Sequence, residues 1–115
     1  MLEVKVDRRD SLALHDQVAA EIRRSLAEGE ARPGERLPPA KDFAAVLDVN
    51  VNTVLQAFRI LRGEGLLEFR RGRGVTVAGT PERSQVVRQV HILVSAARRE
   101  GFGREELIRL LRAVW

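Results

Sequence analysis

Between Gly63 and Gly79 the apolar period of this chain changes from helical to alternating, and beyond Pro81 it changes back. Upstream of that interval Val54, Ala57, Phe58 and Leu61 stand at i, i+3, i+4 and i+7, the stripe of an amphipathic helix. Within it Leu67 and Phe69 alternate with Glu68 and Arg70, and Val75 and Val77 flank Thr76, with Gly72-Arg73-Gly74 as the turn. A period of two on both sides of a glycine turn predicts a small β-hairpin whose apolar residues face inward. Downstream, Val86, Val90, Leu93, Val94 and Ala97 share one helical face. Gly101-Phe102-Gly103 then separates a last helix bearing Leu107, Leu110, Leu111 and Val114.

Two further helices precede the central one. Residues 12–28 set Leu14, Val18, Ile22 and Leu26 at steps of four, with Asp10 or Ser11 as the expected N-cap. Gly29, Pro33 and Gly34 break that helix, and Pro38-Pro39 offer the fixed φ that suits the first turn of a second. In it Phe43 and Leu47 lie beside small Ala40 and Ala44, the composition expected where another helix approaches closely. It ends at Asp48-Val49. Asn50 is the expected cap of the third helix, Asn52, Thr53, Gln56 and Arg59 face outward, and Gly63 and Gly65 stop it.

At 115 residues the chain has room for one ordinary domain and a short appendage. Its 44% hydrophobic and 31% charged residues are values of a globular protein. The absence of cysteine excludes disulfides, thiolate zinc sites and cysteine nucleophiles. Met1 to Asp7 hold no apolar signal core, and no apolar run approaches the ~18–20 residues of a membrane helix. A cytoplasmic protein without membrane contact is expected. No metal-ligand spacing, activated serine or phosphate loop is present, so neither catalysis nor a cofactor is expected. Gly72 and Gly74 join strand to strand, which excludes the strand-to-helix dinucleotide fingerprint. His15 and His91 are expected to be structural, without a nearby carboxylate or second histidine at ligand spacing.

The net charge is +4, unevenly placed. Residues 1–79 carry 13 basic and 12 acidic side chains, and residues 80–115 carry 7 and 4. Arg59, Arg62, Arg70, Arg71 and Arg73 oppose only Glu64 and Glu68 within fifteen positions. Three helices, the second and third joined by a short turn, followed by an arginine-tipped hairpin, form the pattern of a winged helix-turn-helix. The predicted fold is therefore mainly α with a small β-hairpin. A winged helix-turn-helix would occupy residues 1–79, and a two-helix dimerisation region residues 80–115. A helix fits the major groove, its N-terminal residues reach base edges, and its free N–H groups attract phosphate. Asn50, Asn52 and Thr53 sit at that end. Arg71 and Arg73, flanking Gly72, can approach a backbone or enter a minor groove.

Bland alternatives exist for the same residues. Asn50 can serve as a cap alone, Asn52, Thr53 and Gln56 can form a solvated face, and the hairpin arginines can protect a sheet edge from strand addition. A winged-helix adaptor that binds protein without reading DNA is the rival function.

The run Leu37-Pro38-Pro39-Ala40-Lys41, then Phe43-Ala44, Leu47 through Val54, Leu61-x-x-Glu64-Gly65-Leu66-Leu67 and Arg71-Gly72-Arg73-Gly74 resembles the DNA-binding domain of GntR-family bacterial transcription regulators. Leu14 through Val18, Ile22-Arg23, Gly29 and Pro33 through Leu37 resemble that family's first helix and connecting loop, so the likeness spans roughly residues 11–78. The short tail resembles the YtrA-like subfamily. The resemblance implies a homodimer on a palindromic double-stranded DNA operator, usually as a repressor, and names no small-molecule effector. It implies DNA contact for Lys41, which replaces a usual arginine, and for Asn50, Asn52 and Thr53. Val51 replaces a frequent arginine and would touch a thymine methyl or pack. Asp48 stands where glycine is common, and His15 where an aromatic is. Lys41, Asn50, Val51, Asn52, Thr53, Gln56, Arg59, Arg71, Gly72 and Arg73 make up the expected DNA surface. Val86, Val90, Leu93, Val94, Leu107, Leu110, Leu111 and Val114 make up the expected dimer face, because a two-helix tail cannot hide so much apolar surface by itself.

Overall fold

A computed structural model of the protein describes residues 13–115. Among them the elements run α1 (Leu14–Ala27), α2 (Ala40–Leu47), α3 (Val51–Gly63), β1 (Leu67–Arg70), β2 (Gly74–Val77), α4 (Pro81–Arg99) and α5 (Arg104–Val114). Types and order agree with the periods of the sequence.

The stripe of α1 is sealed at Val18, Ile22 and Leu26, while Leu14 at its open end is half-buried. Ala13 stands extended ahead of this helix with no side-chain cap, and the expected caps Asp10 and Ser11 lie outside the described residues. Pro39 is the cap residue of α2, at ψ 150°, and not part of its first turn as expected. The reason is local: its carbonyl accepts from Asp42 N (3.0 Å) and Phe43 N (3.2 Å), while its lack of an N–H costs nothing outside the helix.

Asp48 closes α2 in the left-handed region (φ 54°, ψ 49°), a conformation that Asp tolerates better than most side chains. That single residue reverses the chain. Val54, Ala57, Phe58 and Leu61 of α3 then lie fully buried, and the Phe43 and Phe58 rings meet edge to face at 5.8 Å. Gly65, at φ 77°, follows the last turn of α3 and steers the chain into β1.

The two strands pair antiparallel, Leu67 with Val77 and Phe69 with Val75. Leu67 and Val77 enter the core, whereas Phe69, expected to face inward beside them, is 37% exposed. It sits nearer the hairpin tip, and its face is covered by the Arg62 guanidinium, 4.5 Å from the ring centre, instead of by apolar side chains. Thr76, expected on the outer face, is buried. The segment around Arg36 adds a bridge to it, with Leu37 N donating to Val75 O (2.8 Å) and Val77 N to Glu35 O (2.9 Å). The open edge of β2 is thereby paired.

Helix α4 has two working faces. Ser84, Val87 and His91, at i, i+3 and i+7, turn towards the rest of the chain, and α4 packs along α1 with Ser84 wholly buried and Val87 against the core. The stripe read from the sequence points elsewhere: Val86, Val90 and Leu93 are 63%, 50% and 40% exposed. Helix α5 buries no residue at all.

Candidate nucleic-acid interface

The turn Asp48-Val49-Asn50 delivers α3 with its first turn uncovered. Asn50 stands extended before the helix and its Oδ1 accepts from Asn52 N at 2.8 Å, so the cap expected from the sequence is formed. Its carbonyl accepts from Thr53 N at 3.0 Å. Beyond the cap Asn52, Gln56 and Arg59 fall at i, i+4 and i+7 and form one exposed ridge, opposite buried Val54, Ala57 and Phe58. Thr53 flanks the ridge half-buried, and Val51 is 39% exposed at the helix start. Lys41 is exposed in the first turn of α2.

Arg71, Gly72 and Arg73 form the exposed tip of the hairpin, with Arg73 N donating to Arg70 O at 3.0 Å. Gly72 has φ 79° with open space around it, so the tip is narrow and its backbone accessible. None of the DNA-contact candidates is buried. They form two groups, one on the turn and α3, the other at the tip, within a single packed unit because β1 follows α3 and rests on it.

Charge pairing sorts the arginine cluster further. Glu64, counted from the sequence as opposing these arginines, is taken by Arg23, whose Nε and Nη2 both donate at 2.9 Å. Glu68 is taken by Arg70, at 3.1 Å from Nε. Arg62 lies on Phe69. Among the described residues Lys41, Arg59, Arg71 and Arg73 have no carboxylate partner. Exposed cations without a carboxylate partner among the described residues are free to meet phosphate.

Two contacts around the hairpin were not legible in the sequence. Arg62 fixes Phe69 and so ties the hairpin to the end of α3. Arg36 lays its guanidinium beside Gly74, where a Cβ would come within 3.4 Å of Nε. Neither carries a periodic signal, since one is an ordinary outward helical residue and the other sits in a loop. The histidine reading also needs correction. His91 Nε2 lies 2.6 Å from Glu64 Oε2, and His15 Nε2 lies 3.5 Å from Asp16 Oδ1. Folding brings Glu64 to His91 across 27 positions of sequence. No group of three or more His, Cys, Asp or Glu suited to a metal occurs among the described residues. None of their helices is long and apolar enough to cross a membrane.

Residues 14–77 match the family of bacterial regulatory proteins called the gntR family. The chain is 31% identical over 75 residues to the HTH-type transcriptional repressor YtrA of Bacillus subtilis, covering 65% of this chain and 58% of that protein. It spans only 14–24% of several larger regulators that it also matches. YtrA from Sulfolobus acidocaldarius, a GntR-family transcription factor, superposes with a TM-score of 0.62 at 25% identity over 96% of this chain and 95% of that one. The AraR DNA-binding domain, solved in complex with operator ORX1, superposes with a TM-score of 0.60 at 29% identity, covering 67% of this chain and 96% of that one. The exposed ridge of α3, the arginine-tipped hairpin and these likenesses agree: the chain belongs to the GntR family of transcription regulators and carries its winged-helix DNA-binding domain.

Proposed function

We propose that this chain is a cytoplasmic transcriptional repressor that reads a palindromic double-stranded operator as a homodimer, by binding and not by catalysis. Residues 1–79 are the reading unit and residues 80–115 the dimerisation region. In this reading α3 enters the major groove, Asn52 and Gln56 meet base edges, and Val51 and Thr53 meet a thymine methyl or a phosphate. Lys41, Asn50 and Arg59 hold the flanking backbone, and Arg71, Gly72 and Arg73 reach the adjacent strand or minor groove. The observation that carries the reading is the exposed polar ridge of α3 together with exposed Lys41, Arg59, Arg71 and Arg73, which have no carboxylate partner among the described residues. Repression is favoured by the likeness to the Bacillus repressor.

Dimerisation rests on the tail. Val86, Val90, Leu93, Leu110, Leu111 and Val114 are all at least 40% exposed, and with half-buried Val94 and Leu107 they form an apolar face that a single chain leaves in water. An apolar cleft of about 600 Å³ opens between α4 and α5, lined by Val94, Ala97, Phe102, Leu107, Ile108 and Leu111. A second copy supplies the same apolar side chains in a two-fold arrangement, and such a dimer spaces its half-sites by one helical turn or a multiple, ~10 bp centre to centre for one turn.

Selection of bound duplexes from a random DNA library with the full chain tests this directly. An inverted repeat is expected, with affinity that falls steeply as salt rises. A pool without a shared sequence overturns specific reading, and a single unrepeated motif overturns the dimer.

A further inference from the structure

Glu64 ends the reading helix as the C-cap of α3, and three side chains from two other helices converge on it. Arg23 of α1 holds its carboxylate through two hydrogen bonds of 2.9 Å, with the Arg23 side chain 6% exposed. Arg83 of α4 donates from Nε to the Glu64 carbonyl at 3.2 Å. His91, two turns further along α4, places Nε2 2.6 Å from Glu64 Oε2. Glu64 is thus a platform fixed by α1 and α3, on which α4 rests at two points, the backbone carbonyl and the carboxylate.

Those two points matter because of what α4 does next. Its first half packs along α1 through buried Ser84 and half-buried Val87, and the hydrogen bonds to Glu64 add directional restraints on its rotation about the helix axis. Past His91 the helix carries exposed Leu93 and half-buried Val94 and Ala97, and the chain runs on through Gly101-Phe102-Gly103 into α5. Any rotation of α4 at His91 is therefore passed to its exposed apolar face, and through a dimer built on that face to the angle between two reading helices across a two-fold axis.

We propose that His91 is a positioning residue for operator recognition: bonded to Glu64 at the end of the reading helix, it sets the orientation of the tail and thereby the half-site spacing that the dimer accepts. The proposal rests on the homodimer reading above. His91 is the informative member of the cluster because it is 48% exposed and its loss leaves the Arg23–Glu64 pair intact. Removing Glu64 would instead strand a buried guanidinium.

The test uses the full chain and duplexes carrying the selected half-site, either alone or as inverted repeats whose spacer is varied one base pair at a time. Wild type, His91→Ala and His91→Gln are compared, the last retaining an N–H donor of similar reach. Wild type is expected to favour one spacing by about tenfold over its neighbours, and His91→Ala to lose most of that preference, the size of effect usual for a coupling residue. Affinity of His91→Ala for the single half-site should stay within about twofold of wild type, and His91→Gln should restore the preference. An unchanged spacing profile in His91→Ala overturns the proposal while leaving the dimer reading intact. So does a parallel loss on half-site and full site, which marks a merely structural role. A wild-type protein indifferent to spacing overturns the dimer reading, and this proposal with it.

Discussion

Asn52 and Arg71 are both exposed and polar, yet their surroundings assign them different work. Asn52 lies on a rigid helix whose N-terminus is capped, so its amide can be held against one base edge. Asn52→Ala should weaken operator binding by about 1–3 kcal/mol and relax base choice at one position of each half-site, measured by gel shift against single-base operator variants. Arg71 sits at a tip opened by Gly72 and has no partner among the described residues. Arg71→Ala should weaken binding to all sequences alike and lower the slope of log affinity against log salt by about 1. Equal slopes for the variant and the wild type would remove Arg71 from the contact surface. A third residue speaks to stability alone. The Ser84 hydroxyl is buried between helices with no hydrogen-bond partner among the described residues. Ser84→Ala should raise stability by about 1 kcal/mol in thermal or urea unfolding, since it removes an uncompensated polar group from a dry contact. A lower midpoint would mean that the hydroxyl is satisfied.

At the level of elements, the helices were legible because their signals are local. The stripe Val54, Ala57, Phe58, Leu61 and the Asn50 cap belong to one short run of chain, and both appear where expected. Asn50→Ala should accordingly cost about 1 kcal/mol of folding stability, read from the unfolding midpoint and separate from any effect on DNA. The hairpin was legible in outline and wrong in detail. Alternation put Phe69 on the same face as Leu67, but a period of two says which face a residue is on and not how far the supporting helix extends beneath it. Near the tip that support is a guanidinium, from Arg62. Arg62→Ala should change the unfolding midpoint little, because the exposed contact is worth about 0.5–1 kcal/mol, yet weaken operator binding by freeing the wing. If binding is unaffected, the wing is oriented by its β1 packing alone.

For the whole molecule the decisive contrast lies between the two faces of α4. One, through Ser84 and Val87, completes the winged unit, and the other, through Val86, Val90 and Leu93, is left in water. Leu107→Glu combined with Leu111→Glu should leave the winged unit folded, since no residue of α5 is buried, but yield a monomer by sedimentation. Persistence of the dimer would place the interface elsewhere. The amino-acid sequence by itself determined the kind and order of the elements, the Asn50 cap and the glycine tip, because period and turn chemistry act over a few residues. Tertiary structure alone decided which face of α4 docks, how the edge of β2 is covered and which arginines find a carboxylate among the described residues. Those outcomes depend on meetings such as Arg23 with Glu64, 41 positions apart, and His91 with Glu64, 27 apart, where no local pattern links the partners and only packing brings them together.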